Sequence, residues 1–279
     1  MPFNLDQHNE LLETWGKEFL NQQPWVEFSE RISLFIVSPG SNWNLSLTPE
    51  NSIVWSIVDR DTVQSLPRTL SSKLLKTSIV VEEHHDLNSN LNISLFIFTL
   101  EHLENTLERV GRSEMETRWH LLGSSIISDN LLRHEALIAK AKMVPSEGLE
   151  RATRLLWHEI NSTAQGLWTL AHAPESGSLT LSEFLTNIIR LCCLIDYGSY
   201  PPVEELNSIS QETRLGQRLG KWFQDVEMAI SKNPEAGKRI IYSHSQVIEE
   251  IRDMLNEIYR GREWINNPAA NRMPVRTRV

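Results

Sequence analysis

Basic residues are scarce in this chain of 279 residues, which has 27 Lys and Arg against 36 Asp and Glu and a formal net charge of −9. Proteins that bind nucleic acids neutralise phosphates with Lys and Arg, so this balance argues against a broad DNA- or RNA-binding surface. Cysteine is also rare. The two cysteines, Cys192 and Cys193, are neighbours, and a disulfide between neighbours requires unusual peptide geometry. We therefore expect reduced thiols and a cytoplasmic protein.

Long apolar runs are absent as well. No stretch approaches the roughly 18 apolar residues of a membrane helix, and the first residues lack the basic and apolar pattern of a signal peptide. We therefore expect no membrane association. The sequence also lacks the Gly-rich phosphate loops of P-loop and dinucleotide-binding proteins, and the Gly-x-Ser-x-Gly frame of serine hydrolases. These absences exclude several common enzyme classes.

The first hundred residues contain an amphipathic helical pattern over 5–20 and several short runs rich in β-branched and aromatic residues. Turn residues bound these runs, which is typical of strands. The predicted strands are 32–38, 52–59, 77–87 and 92–100. A helix or loop interrupted by Pro67 separates the second strand from the third. This order predicts a small sheet domain of the α+β class.

From Thr99 onwards the pattern is helical, with breaks at proline and glycine residues. We predict a sheet domain over residues 1–115 and an all-helical domain over residues 116–265. Residues 266–279 contain two prolines and few apolar residues, which predicts a loose C-terminal tail.

The segment SPGSNWNLSLTPENSIVWSIVDRD (38–61) contains the pair Gly40-Ser41 after the first strand and Ser52 at the start of the second. A strand that ends in Gly-Ser, followed by a turn, a further Ser and a strand that opens with Asp-x-Asp, is the signature of polymerase-beta type nucleotidyltransferases. The segment resembles this signature. The resemblance implies that Gly40, Ser41 and Ser52 bind a nucleotide.

Two later segments extend the resemblance to bacterial small-molecule nucleotidyltransferases, including those that modify antibiotics. RWHLLGSSIISDNLLRHEALIAKAKMVP (118–145) resembles a helix that leads to an Asp-containing turn, and DYGSYPPVEEL (196–206) resembles a helix end that carries Tyr-Pro. The resemblance implies a small mixed β-sheet domain of the nucleotidyltransferase type followed by an all-helical domain.

The chemistry of the family is missing at the matched positions. The two metal-binding Asp residues correspond to Ile53 and Trp55, and the third carboxylate corresponds to Asn92 or Ser94. The Lys that follows Tyr-Pro corresponds to Glu204. Because Mg²⁺ needs anionic oxygen ligands, we predict no bound metal, no cofactor and a catalytically degenerate protein that binds a nucleotide or a protein partner.

Two alternatives stay open. In the first, the chain is an active Mg²⁺-dependent enzyme that attaches a nucleotide to a small-molecule or protein hydroxyl, and Asp59 and Asp61 hold the metal from an extended backbone. Glu82, Glu83 or Asp86 would then supply the third acid and general base. In the second alternative, the chain is a non-enzymatic adaptor of unrelated fold.

The neighbouring His84 and His85 point to opposite faces of a strand, so they cannot chelate one metal ion together.

Overall fold

The chain forms two compact units, Met1–Val144 and Pro145–Val279. The computed structural model describes residues 5–38, 51–86, 90–170, 177–230 and 234–267. The first unit contains a five-stranded mixed sheet with helices, and the described part of the second unit contains helices alone. The predicted α+β class, with a sheet domain followed by a helical domain, is confirmed. The division falls later than residue 115, because the segment around residues 125–142 joins the sheet unit.

The sheet unit contains all four predicted strands and the predicted first helix. Its elements are α1 (Leu5–Leu20), a 3₁₀ helix (Trp25–Arg31), β1 (Ile32–Ser38), β2 (Asn51–Val58), α2 (Arg60–Ser65), α3 (Arg68–Thr77), β3 (Ile79–Asp86), β4 (Leu91–Thr99), α4 (Leu100–Glu108), α5 (Arg112–Leu122), β5 (Ser125–Asp129) and α6 (His134–Lys142). Helix α4 begins where the sequence predicts, because the Thr99 hydroxyl accepts a hydrogen bond from the backbone N–H of His102.

The strands lie in the order β3-β4-β2-β1-β5. Only β2 and β4 are parallel, and the other neighbours are antiparallel. Strand β2 lies in the middle of this order, between β4 and β1. Ser38 at the end of β1 lies opposite Ile53, and Val58 at the end of β2 lies opposite Ile32.

Each face of the sheet buries its own apolar cluster. The first core cluster joins the sheet to α1, α2 and α3, with members such as Leu12, Val54, Val63, Leu74 and Ile93. The second core cluster joins the other face to α4, α5 and α6 and contains Phe35, Val37, Trp55, Ile57, Phe98, Leu103, Leu107, Leu121, Leu137 and Ala141. Because side chains alternate along a strand, successive residues of β2 belong to different clusters.

Strand β5 was not predicted from the sequence, since it is short and begins and ends with polar residues. Asp129 is the last residue of β5. Its carboxylate accepts hydrogen bonds from the Ser33 hydroxyl (2.9 Å) and from the backbone N–H groups of Arg133 (3.1 Å) and His134 (3.0 Å). Burial alone raises the pKa of Asp129, but these hydrogen bonds and the nearby His134 lower it overall. Asp129 thus ties β1 to the start of α6.

The second unit contains seven described helices: α7 (Ser146–Leu170), α8 (Gly177–Tyr197), α9 (Val203–Glu212), α10 (Arg214–Arg218), α11 (Gly220–Ile230), α12 (Pro234–Ile258) and α13 (Glu263–Asn266). Cys192 and Cys193 are buried free thiols in α8, and burial raises the pKa of Cys193 to about 12.

No described helix is both long and apolar enough to cross a membrane. The predicted tail at 266–279 lies almost entirely outside the described residues.

Candidate functional site

The positions that the resemblance assigns to metal binding meet at one end of the sheet. Ile53 on β2 lies beside Ser94 on the parallel strand β4, and Trp55 lies beside Phe96. Lateral partners in a sheet point to the same face. The structure therefore brings positions 53, 55 and 94 together on the face that carries the second core cluster.

Apolar side chains occupy the two positions on β2. Trp55 is only 4% exposed, and its ring lies 4.9 Å from the ring of Phe98 and 5.7 Å from that of His120. Ile53 is partly buried and packs against the same cluster. Neither side chain has an oxygen for a metal ion.

Polar side chains of β3 and β4 lie beside these positions on the same face of the sheet. The Ser94 hydroxyl donates a hydrogen bond of 2.8 Å to Oε2 of Glu83, and Nδ1 of His85 lies 2.8 Å from Oδ1 of Asn92. These four residues, here called the polar quartet, are two lateral pairs on the same face as Ile53. Glu83 is the single carboxylate of the quartet.

The sequence alone does not reveal the quartet. The sequence places the uncharged Asn92 and Ser94 at the positions matched to a third acid, but their partners on β3 depend on strand register. The neighbouring residues Glu82 and His84 point to the opposite face, where their side chains lie 3.6 Å apart. The ring of His84 there contacts Trp15 in α1. The prediction that His84 and His85 diverge is confirmed.

Ser52, a predicted nucleotide-binding residue, is fully buried on the face opposite Ile53. Its hydroxyl lies 3.0 Å from Nε2 of His8 in α1, and burial lowers the pKa of His8, which favours the neutral imidazole. A phosphate could contact Ser52 only by entering this buried contact between β2 and α1. The other two predicted nucleotide-binding residues, Gly40 and Ser41, lie outside the described residues.

Asp59 and Asp61 lie at the other end of β2. Asp59 is the N-cap of α2, and its Oδ1 accepts a hydrogen bond of 2.6 Å from the backbone N–H of Thr62. Asp61 is exposed in the first turn of this helix. The extended Asp-x-Asp arrangement considered from the sequence is not formed, because β2 ends at Val58 and α2 begins at Arg60.

In the second unit, the matched segment around Tyr200 is a helix connection. Tyr200 is buried, and the Arg190 guanidinium lies 5.6 Å from the centre of its ring. Glu204, at the position that the resemblance matches to a Lys, lies in the first turn of α9. Across the part of the chain that the structure describes, no group of three or more His, Cys, Asp and Glu residues could hold a metal ion.

Comparison with known proteins finds structural similarity at low sequence identity. The chain resembles the crystal structure of a nucleotidyltransferase-like protein from Exiguobacterium sibiricum, with 12% sequence identity, coverage of 90% of this chain and 81% of that chain, and a TM-score of 0.47. No family model and no curated protein match the sequence. At this identity and TM-score, the similarity carries no information about function.

Proposed function

We propose that this chain is a nucleotide-binding protein built on a nucleotidyltransferase-like frame, without metal-dependent transferase activity. The observation that carries the proposal is the burial of Trp55, which together with Ile53 occupies the positions of the family's metal-binding acids. A two-metal reaction needs several carboxylates that bridge ions about 4 Å apart. Glu83 is the single carboxylate of the polar quartet, and one of its oxygens already accepts a hydrogen bond from Ser94.

The ligand class follows from the charges and groups at this end of the sheet. A triphosphate without Mg²⁺ is strongly negative, and the net charge of −9 on the chain opposes its approach. The polar quartet supplies donors and acceptors suited to ribose hydroxyls or a base edge. Phe96 is partly buried beside it and offers an aromatic surface. We therefore expect a nucleoside or nucleoside monophosphate to bind better than a triphosphate.

The alternative of an active enzyme requires Asp59 and Asp61 to hold the metal. Asp59 lies six positions along the chain from Ile53, which corresponds to about 20 Å along an extended strand. Asp59 also caps α2. Both observations favour the binding protein over the enzyme.

Thermal unfolding with nucleosides, monophosphates and triphosphates, each with and without Mg²⁺, tests the proposal. Ligand binding to the folded state raises the melting temperature, so a nucleoside should raise it equally with and without Mg²⁺. Glu83→Gln should abolish the shift. Glu82→Gln, on the opposite face of the same strand, should leave it unchanged.

A parallel assay measures transfer of label from ATP with Mg²⁺, and we expect none. Transfer that Asp61→Asn abolishes would overturn the proposal in favour of the enzyme. If no nucleoside or nucleotide changes the melting temperature and no label is transferred, the non-enzymatic adaptor is favoured.

A further inference from the structure

The carboxylate of the polar quartet has one oxygen that no other described residue uses. Oε2 of Glu83 accepts the hydrogen bond from the Ser94 hydroxyl, whereas Oε1 has no partner among the described residues. The side chain is exposed, so a ligand can reach it. An ionised carboxylate only accepts hydrogen bonds. Glu83 therefore offers a charged acceptor whose orientation Ser94 fixes.

The amide of Asn92 offers the complementary groups. Nδ1 of His85 lies 2.8 Å from Oδ1 of Asn92, and the imidazole donates this hydrogen bond because an amide oxygen only accepts. Nδ2 of Asn92 keeps both of its N–H donors, and neither has a partner among the residues that the structure describes. Asn92 is exposed as well. His85 thus orients the amide and leaves its donors to a ligand.

Strand register brings the acceptor and the donors to one place. Glu83 lies opposite Ser94, and His85 lies opposite Asn92, two residues further along the same pair of strands. Two residues of strand correspond to about 7 Å, and their side chains point to the same face. A single planar group that carries polar atoms along one edge can therefore contact both Glu83 and Asn92.

Apolar side chains next to the quartet favour a flat ring as that planar group. Phe96 is partly buried and lies opposite Val81, which is 48% exposed on the same face. Ile53 lies beside Ser94 and is also partly buried. Aromatic and aliphatic surfaces bind the face of a nucleobase by stacking. A base that stacks here presents its edge to Glu83 and Asn92.

The hydrogen-bonding groups distinguish between the bases. The Watson–Crick edge of guanine carries two adjacent donors, N1–H and the 2-amino group, beside the acceptor O6. Adenine and cytosine place a ring acceptor next to their amino group, and uracil has carbonyl oxygens on both sides of its N–H. A carboxylate has no proton to give, so it leaves these acceptors unpaired or repels them. Guanine alone matches a carboxylate and an amide donor together.

We propose that the polar quartet selects guanine: Glu83 accepts hydrogen bonds from N1–H and the 2-amino group, and Asn92 donates one to O6. This inference rests on the proposed function and names the base that the same site binds. Ser94 and His85 are positioning residues, since each holds one of the two contacting side chains. Hydrogen bonds to an ionised group are the stronger kind, so Glu83 contributes most of the discrimination.

Calorimetric titration of the full chain with nucleoside monophosphates, without Mg²⁺, tests the selection. Guanosine monophosphate should bind about tenfold or more tightly than adenosine monophosphate. Inosine monophosphate lacks the 2-amino group and 1-methylguanosine monophosphate lacks N1–H, so each should bind about fivefold or more weakly than the guanosine compound. The 7-deaza analogue changes only the opposite edge of the base and should bind as guanosine monophosphate does.

Two variants assign the contacts, and both change exposed side chains that the fold does not bury. Glu83→Gln should lower the affinity for guanosine monophosphate to that for adenosine monophosphate, whereas Glu82→Gln on the opposite face should keep the preference. Asn92→Leu removes the donors to O6 and should weaken guanosine monophosphate by about fivefold, with no change for adenosine monophosphate.

The possible failures are distinct. Equal affinities for the guanosine and adenosine compounds, or a preference that survives in Glu83→Gln, would overturn the selection of guanine while leaving nucleotide binding intact. Equal affinities for all bases, together with weaker binding of 2′,3′-dideoxyguanosine monophosphate, would assign Glu83 to the ribose hydroxyls and also overturn it. Absence of binding by every compound would refute both this inference and the proposed function.

Discussion

Replacing Trp55 by Asp would restore a carboxylate at the position where the resemblance places a metal ligand, and the structure predicts that the fold cannot accommodate it. Trp55 is 4% exposed and packs against the rings of Phe98 and His120. Loss of a buried tryptophan costs about 3–5 kcal/mol, and each aromatic pair adds roughly 0.5–1.5 kcal/mol. Burial of an unpaired carboxyl group adds about 1–3 kcal/mol on the scale of protein mutations.

These terms sum to at least about 5 kcal/mol, which is comparable with the whole unfolding free energy of a typical domain. Trp55→Asp should therefore unfold the sheet unit. Ile53→Asp is the matched control, since Ile53 is only partly buried and its replacement carboxylate would stay hydrated. We expect Ile53→Asp to cost about 1–2 kcal/mol.

Urea unfolding followed by circular dichroism measures both variants, and hydrogen exchange in β2 shows whether the sheet has opened. Calorimetric titration with Mg²⁺ checks for a restored metal site. If Trp55→Asp stays within about 1 kcal/mol of the parent protein and binds Mg²⁺, position 55 still belongs to a working carboxylate site, and the reasoning behind the proposed function fails.

Three further predictions concern the sheet unit. Arg118 is fully buried and donates hydrogen bonds to the carbonyls of Leu107, Lys140 and Ala141. Arg118→Met should lower the unfolding free energy by about 3 kcal/mol in urea titrations, whereas the exposed Arg109→Met should change it by less than about 0.5 kcal/mol; equal losses would refute this. Burial lowers the pKa of His8 below its ordinary value of 6.5, so its contribution to stability is present above that value and is lost as the pH falls through the folded-state pKa. Unfolding between pH 7.5 and 5 should accordingly depend less on pH in His8→Gln, and an unchanged slope would contradict this assignment. A Cβ added at Gly16 would lie 2.8 Å from Cγ2 of Ile127, so Gly16→Ala should cost about 1–3 kcal/mol despite its better helix propensity. Combining it with Ile127→Ala should recover part of this loss in a double-mutant cycle, and strict additivity would show that the contact is relaxed at no cost.

The local pattern of the sequence was sufficient for most elements of the fold. The apolar runs around Phe35 and Ile57 form strands, and the helix predicted after Thr99 begins there. Proline residues end or separate helices in the second unit. The apolar character of Ile53 and Trp55 is also visible without a structure. These features depend on residues close in the chain, which is why periodicity and turn chemistry predict them.

Other features depend on contacts between residues that are distant in the chain. Strand β5 has a weak local signal, and it forms because β1 offers a free edge and Asp129 bonds to Ser33. The register of β3 against β4 decides that Glu83 meets Ser94.

The two acids after β2 illustrate the same difference between what the local sequence predicts and what tertiary contacts decide. The sequence places an Asp-x-Asp motif at residues 59–61, which by itself fits a metal site or a helix start. The tertiary structure makes Asp59 a helix cap, at the opposite end of the strand from Ile53. Spacing within a motif is a local property, whereas the convergence of its side chains with other elements depends on how the strands pair and where each one ends.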